Sequence, residues 1–175
     1  MSRERTPRPR KPPPPPARHL TSIPPSSAAA AALGARPATI VIAAPDVGTQ
    51  QALEHVARAL GMEILASGNG PSALDRARAA LRRAAPPTMI VHGAAGAEAL
   101  VAAAQTLTPR PVLLLVGAGS IDVAAARAAS LDVELAMVAP FTVDRAAPVL
   151  LAAARLAFER FELHQARAAE HLLRR

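Results

Sequence analysis

From residue 38 onward the apolar positions follow two alternating rhythms. Short, nearly unbroken apolar runs occur at Ala38–Ala43, Met62–Ala66, Thr88–His92, Val112–Val116 and Val133–Val138. Between them, apolar residues return every three or four positions over Thr49–Leu60, Ser72–Ala84, Ala97–Leu107 and Ile121–Ala129. The short runs, rich in branched side chains, predict strands buried on both faces. The longer stretches predict amphipathic helices. Gly61 stops the first helix, Gly68-Asn69-Gly70 turns the chain, and prolines precede the third and fourth strands. Five strands separated by helices of this length pair in parallel through right-handed crossovers, giving a doubly wound α/β sheet. Ligands and chemistry in such sheets gather at the C-terminal ends of the strands.

The last helical pattern, Asp144–Arg175, is longer than a five-stranded domain needs. Pro148 tightens or kinks its first turns. Beyond it, Leu151, Ala154, Phe158, Phe161, Gln165, Ala168 and Leu172 recur at alternating spacings of three and four, a heptad seam weakened by Gln165 and the alanines. Leu150, Ala153 and Ala157 form a neighbouring stripe that can face the domain. Two of the three phenylalanines lie on the seam. Left exposed they would be costly, so the seam is expected to mediate self-association. His164 and His171 share one face but lie too far apart to share a metal ion within one helix.

Composition separates the first 37 residues from the rest. They hold ten of the eighteen prolines, including Pro12–Pro16, and seven Lys/Arg against one acid, a charge of +6. Residues 38–175 hold thirteen Arg against twelve acids, a charge of +1. The formal net charge of +7 therefore belongs mostly to a tail. Proline excludes helix and central strand there, so a disordered, basic, Pro-rich tail over 1–37 is expected, a solvated spacer rather than a docking peptide. The α/β domain is assigned to 38–148 and the extended C-terminal helix to 149–175. There is no cysteine, hence no disulfide, thiolate metal site or cysteine nucleophile. The five histidines are scattered. No apolar run reaches membrane-spanning length and no secretory leader is evident, so a cytoplasmic location is expected. The core, rich in alanine and without Trp or Tyr, predicts modest stability.

Two stretches carry a family resemblance. Gly61-Met-Glu-Ile-Leu-Ala-Ser-Gly-Asn-Gly70-Pro-Ser-Ala-Leu74 resembles, without a gap, the stretch of bacterial response-regulator receiver domains that runs from Gly-aromatic-Glu-Val to Asp/Asn-Gly-x-x-Ala-Leu. Val138-Ala139-Pro140-Phe141 resembles the close of the fifth receiver strand, which reads Lys-Pro-Phe in the family. The resemblance extends from about residue 38 to 160 and implies a flavodoxin-like, receiver-like fold. It also implies where family chemistry would sit. The Mg²⁺-holding acids fall on Ala44 and Pro45, with Asp46 one residue beyond. The phosphoacceptor falls on Gly93, or on His92 with a one-residue slip. The Thr/Ser position falls on Val116, the aromatic switch near Ala136, and the lysine on Ala139. Phosphoryl transfer by the family route needs a carboxylate nucleophile and hard oxygen ligands for the metal. Asp46 is the one carboxylate on offer, and a carboxylate just before a helix is read as its cap. His92, with no acidic orienter, is read as structural. The chain is thus expected to be a degenerate pseudo-receiver, neither phosphorylated by the Asp/Mg route nor an enzyme, with no cofactor and no metal.

The leading expectation is a signalling or scaffold protein acting through a protein partner and a homodimer. The alternative is a small-ligand sensor holding an anion on the backbone N–H groups of Gly117, Gly119 and Ser120, although this turn matches no dinucleotide or P-loop motif. The long last helix also resembles receivers that precede an antiterminator RNA-binding module, which makes a remnant of such a regulator a third reading. No stacking aromatics accompany the arginines of that helix, so nucleic acid is not the expected partner.

Overall fold

The computed structural model describes residues 37–83, 86–94 and 96–174. The expected tail over 1–37 lies, but for Pro37, outside the described residues. Ten elements alternate: β1 (Thr39–Ala43), α1 (Val47–Ala59), β2 (Glu63–Gly68), α2 (Gly70–Arg82), β3 (Pro87–His92), α3 (Ala97–Gln105), β4 (Val112–Gly117), α4 (Ile121–Ser130), β5 (Leu135–Val138) and α5 (Val143–Leu173). All four strand pairings are parallel, in the order β2-β1-β3-β4-β5. This is the expected five-stranded, doubly wound, flavodoxin-like sheet.

Period-two alternation divides the core into two layers. Ile40, Ile42, Ile90, Leu114 and Val116 face α1 and α5, where Leu53, Val56, Ala146, Leu150 and Ala154 complete the layer. Val41, Ala43, Met89, Val91, Leu113 and Leu115 face the other way, against Ala73, Ala77, Val101, Ala104 and Ala128. The layers are thin because alanine dominates the inner faces of the helices, which lets them approach the sheet closely but buries less area per residue.

Local chemistry sets the boundaries. α1 starts two residues earlier than its periodicity suggests because Asp46 caps it, its carboxylate accepting from the Thr49 N–H at 2.7 Å. Gly61 follows the α1 C-cap at φ +72°, the left-handed turn its position implied. β5 begins at Leu135 rather than Val133, since the Val133 N–H is drawn back to the Ala128 carbonyl at the end of α4. The Ala139–Pro140 peptide is cis.

α5 runs without a break across residue 148, so the assigned division there is not a structural boundary. Pro148 lies inside the helix. Leu150, Ala153, Ala154, Ala157 and Phe161 are all buried against the domain. The supposed exposure of the seam is therefore corrected for its first half. Phe161 is 8% exposed, while Leu151 and Phe158 pack partly buried against the first core layer. The reason is geometric: a 3-4 spacing marks one face of a helix but not what covers it, and here the domain covers that face as far as Phe161. Only Gln165, Ala168 and Leu172 of the seam stand in solvent, Leu172 with 76% exposure. No helix among the described residues is long and apolar enough to cross a membrane.

Candidate functional site

The C-terminal edge of the sheet is where crossovers turn from strand to helix, and the receiver-equivalent positions fall along it except Ala136, which lies within β5. Ala44 follows β1, buried, with its N–H donated to the Gly68 carbonyl at 3.0 Å. Pro45 and Asp46 are exposed beside it. Asp46 serves as the α1 cap, as its position before a helix implied. The Thr49 backbone N–H, seconded by the Thr49 side chain, holds its carboxyl below the ordinary carboxylate value, and the charge of nearby His92 acts in the same direction.

His92 closes β3 opposite Val116. Its Nδ1 is shielded from solvent and has no hydrogen-bond partner among the described residues. Gly93 comes next, its N–H donated to the Val116 carbonyl at 2.7 Å. A Cβ at Gly93 would stand 3.4 Å from that same oxygen and 3.7 Å from Leu115 Cδ1. Both are ordinary van der Waals distances, so a small side chain at Gly93 would rest against β4 without displacing it. Val116 is fully buried. Ala139 is exposed and donates its N–H to Gly117 O at 3.3 Å.

These positions do not converge on one pocket. A cleft of about 150 Å³ opens between the ends of β1 and β3 and the starts of α2 and α3. Ala44, Pro45 and His92 line it, with Asn69, Gly70, Val91, Gly96 and Leu100. Gly93, Val116 and Ala139 do not contribute to its lining. Asn69-Gly70 was legible as a turn but not as a wall of the cleft, because strand order alone brings it beside β3. The walls are mainly apolar, and among the described residues no group of three or more His, Cys, Asp or Glu is placed to hold a metal ion.

The turn read as an anion nest ends in a cap. Gly119 takes φ +91°, and Ser120 Oγ accepts from the Val123 N–H at 3.3 Å. One free donor of α4 is thus already satisfied by the chain itself. The other acids of this edge, Glu98, Asp122 and Asp144, lie in the first turns of α3, α4 and α5, where they complement the helix dipoles.

No protein-family model matches the chain, and no curated protein matches it. Solved structures do. NtrX from Brucella abortus in complex with ADP superimposes with a TM-score of 0.60 at 20% identity, covering 75% of this chain and 29% of that one. NtrX from Brucella abortus in complex with ATP gives a TM-score of 0.52 at 19% identity, covering 79% and 29%. This chain therefore spans under a third of the length of those proteins. At such identity the likeness is one of fold, and it supports a receiver-like fold.

Proposed function

We propose that this chain is a non-catalytic, receiver-like signalling or scaffold module, a pseudo-receiver, whose output is protein–protein contact, including self-association. The observation that carries the reading is the chemistry of the C-terminal edge. Ala44, Pro45, Gly93, Val116 and Ala139 replace groups that a phosphoryl-accepting receiver needs, and Asp46 is engaged as a helix cap. The contact surface is the free end of α5, where Leu163, Leu172 and Leu173 are exposed.

The test treats the full chain with acetyl phosphate and Mg²⁺ and follows covalent phosphate by intact mass. The expected result is no mass increase and no change in melting temperature with beryllofluoride. Stoichiometric incorporation would defeat the reading, and its loss in His92→Gln would identify the acceptor as histidine. In parallel, light scattering over a concentration series should show a mass that rises with concentration and stays monomeric in Leu172→Asp. A monomer at every concentration would remove self-association from the proposal.

A further inference from the structure

α5 is attached to the domain mainly through apolar side chains: Ala146, Leu150, Ala153, Ala154, Ala157 and Phe161 are buried, with Leu151, Leu156 and Phe158 partly buried beside them. Such contacts are non-directional and do not by themselves fix the direction in which the helix leaves the domain. Past Phe161 the apolar cover ends. Residues 162–173 extend about 18 Å further at the helical rise per residue and are exposed except for partly covered His164. Any rotation where the helix leaves the domain is therefore magnified at its tip.

Directional contacts at that exit come from one residue. Among the described residues, Arg160 makes every side-chain hydrogen bond and ion pair joining α5 to the rest of the domain. Its Nη1 donates to the carbonyls of Arg110 at 3.3 Å and Pro111 at 3.1 Å. Its Nη2 lies 2.8 Å from Glu134 Oε1. The other ion pairs of α5, Arg155–Glu159 and Arg174–Glu170, stay within the helix.

The receiving end is itself built in. Glu134 Oε2 accepts from the Leu113 N–H of β4 at 3.0 Å, and Oε1 also lies 3.4 Å from Arg110 Nη2. Arg110 is held in turn by Asp132, at 2.8 Å to Oδ2 and through the Asp132 carbonyl, which Gln105 also engages. The side chains of Glu134 and Arg160 are 17% and 28% exposed, so solvent screens this pair less than it screens the pairs along the helix surface.

We propose that Arg160 is the register pin of α5: it fixes where the helix leaves the domain and in which direction its free end points. With the pin in place the free end is a rigid arm; without it, the turns from about residue 157 onward are released while the sheet stays folded. The inference holds whatever the free end meets.

Hydrogen exchange on the full chain tests it, comparing wild type with Arg160→Met, Glu134→Gln and the control Arg155→Met. Glu134→Gln keeps the side-chain shape and an acceptor for Leu113, so it remains informative if Arg160→Met fails to fold. In both pin variants, peptides spanning 157–166 should exchange at least about tenfold faster, with peptides from β1 and β3 unchanged and the control like wild type. The double variant should exchange no faster than the faster single one. Because the chain has no cysteine, nitroxides placed through Ala169→Cys and Asp122→Cys report the arm's direction: one narrow distance with the pin, a broad distribution in Arg160→Met. Unchanged exchange at 157–166, acceleration spread evenly over the strands, or an unbroadened distance would each overturn the proposal.

Discussion

At the C-terminal edge of the sheet, charged side chains act locally or in one largely exposed pair, Glu98 with Arg127 at 2.6 Å. Asp46 caps α1, while Glu98, Asp122 and Asp144 sit in the first turns of their helices. At the opposite edge four charged side chains act together, with Arg110, Asp132, Glu134 and Arg160 joined just before β4 and β5 and on the departing helix. The same sheet thus has one edge of local caps around an apolar cleft and another bound by a long-range polar network. Solvent and local partners weaken what a lone exposed carboxylate can do, whereas partly buried groups that share partners act in concert. The networked edge of this molecule holds the architecture, and the edge where the fold usually places chemistry is maintained by glycine, alanine and helix caps.

Substitution can break that contrast, beginning with the largest expected effect. Glu134→Ala removes the shared acceptor of Leu113, Arg110 and Arg160 and should cost about 2–3 kcal/mol in urea unfolding. A loss comparable to that of an exposed ion pair, under about 1 kcal/mol, would dissolve the distinction between the edges. At the other edge, Gly119→Val forces a branched side chain into a left-handed conformation at φ +91° and should cost about 1–2 kcal/mol by the same measurement.

Asp46→Ala is expected to lower the melting temperature at neutral pH by about 3 °C, the loss of one exposed cap. Because the folded-state carboxyl titrates below its ordinary value, its contribution is present above the unfolded-state pKa and lost as pH falls through the folded one. The difference from wild type should therefore close as pH falls below the ordinary carboxylate value. Melting curves at three pH values check this, and a gap that persists undiminished at the acid end would mean that the cap is not what Asp46 supplies. The smallest effect is expected for Ala139→Lys. The position is exposed, so stability should change by less than about 0.5 kcal/mol. Treatment with acetyl phosphate should still add no mass, since the lysine alone restores neither the carboxylate nucleophile nor the metal ligands.

Much of this organisation was legible in the linear pattern. Gly61 takes the positive φ that its place after a helical run implied, and Asp46 caps the helix it precedes. The strand runs reappear within one or two residues wherever their ends are set by local turns. The misses have a common source. β5 starts late because of a hydrogen bond to the preceding helix. At the Gly117–Ser120 turn, the sequence did not show that Ser120 Oγ caps α4 by accepting from the Val123 N–H.

What the chain by itself determined is the alternation of five strands and five helices, the placing of the turns, and the residue types at each strand end. These depend on local periodicity, backbone restrictions and side-chain chemistry, all of which operate over a few neighbouring residues. Only the tertiary structure decided which neighbour covers each apolar face and which distant charges meet. Phe161 proved to be a core residue rather than part of an exposed seam because β3 and β4 begin beneath it, and Arg160 found Glu134 across 25 intervening positions. Such pairings are fixed by the order of strands in the sheet and the direction of the last crossover, and no local pattern in either segment encodes its partner.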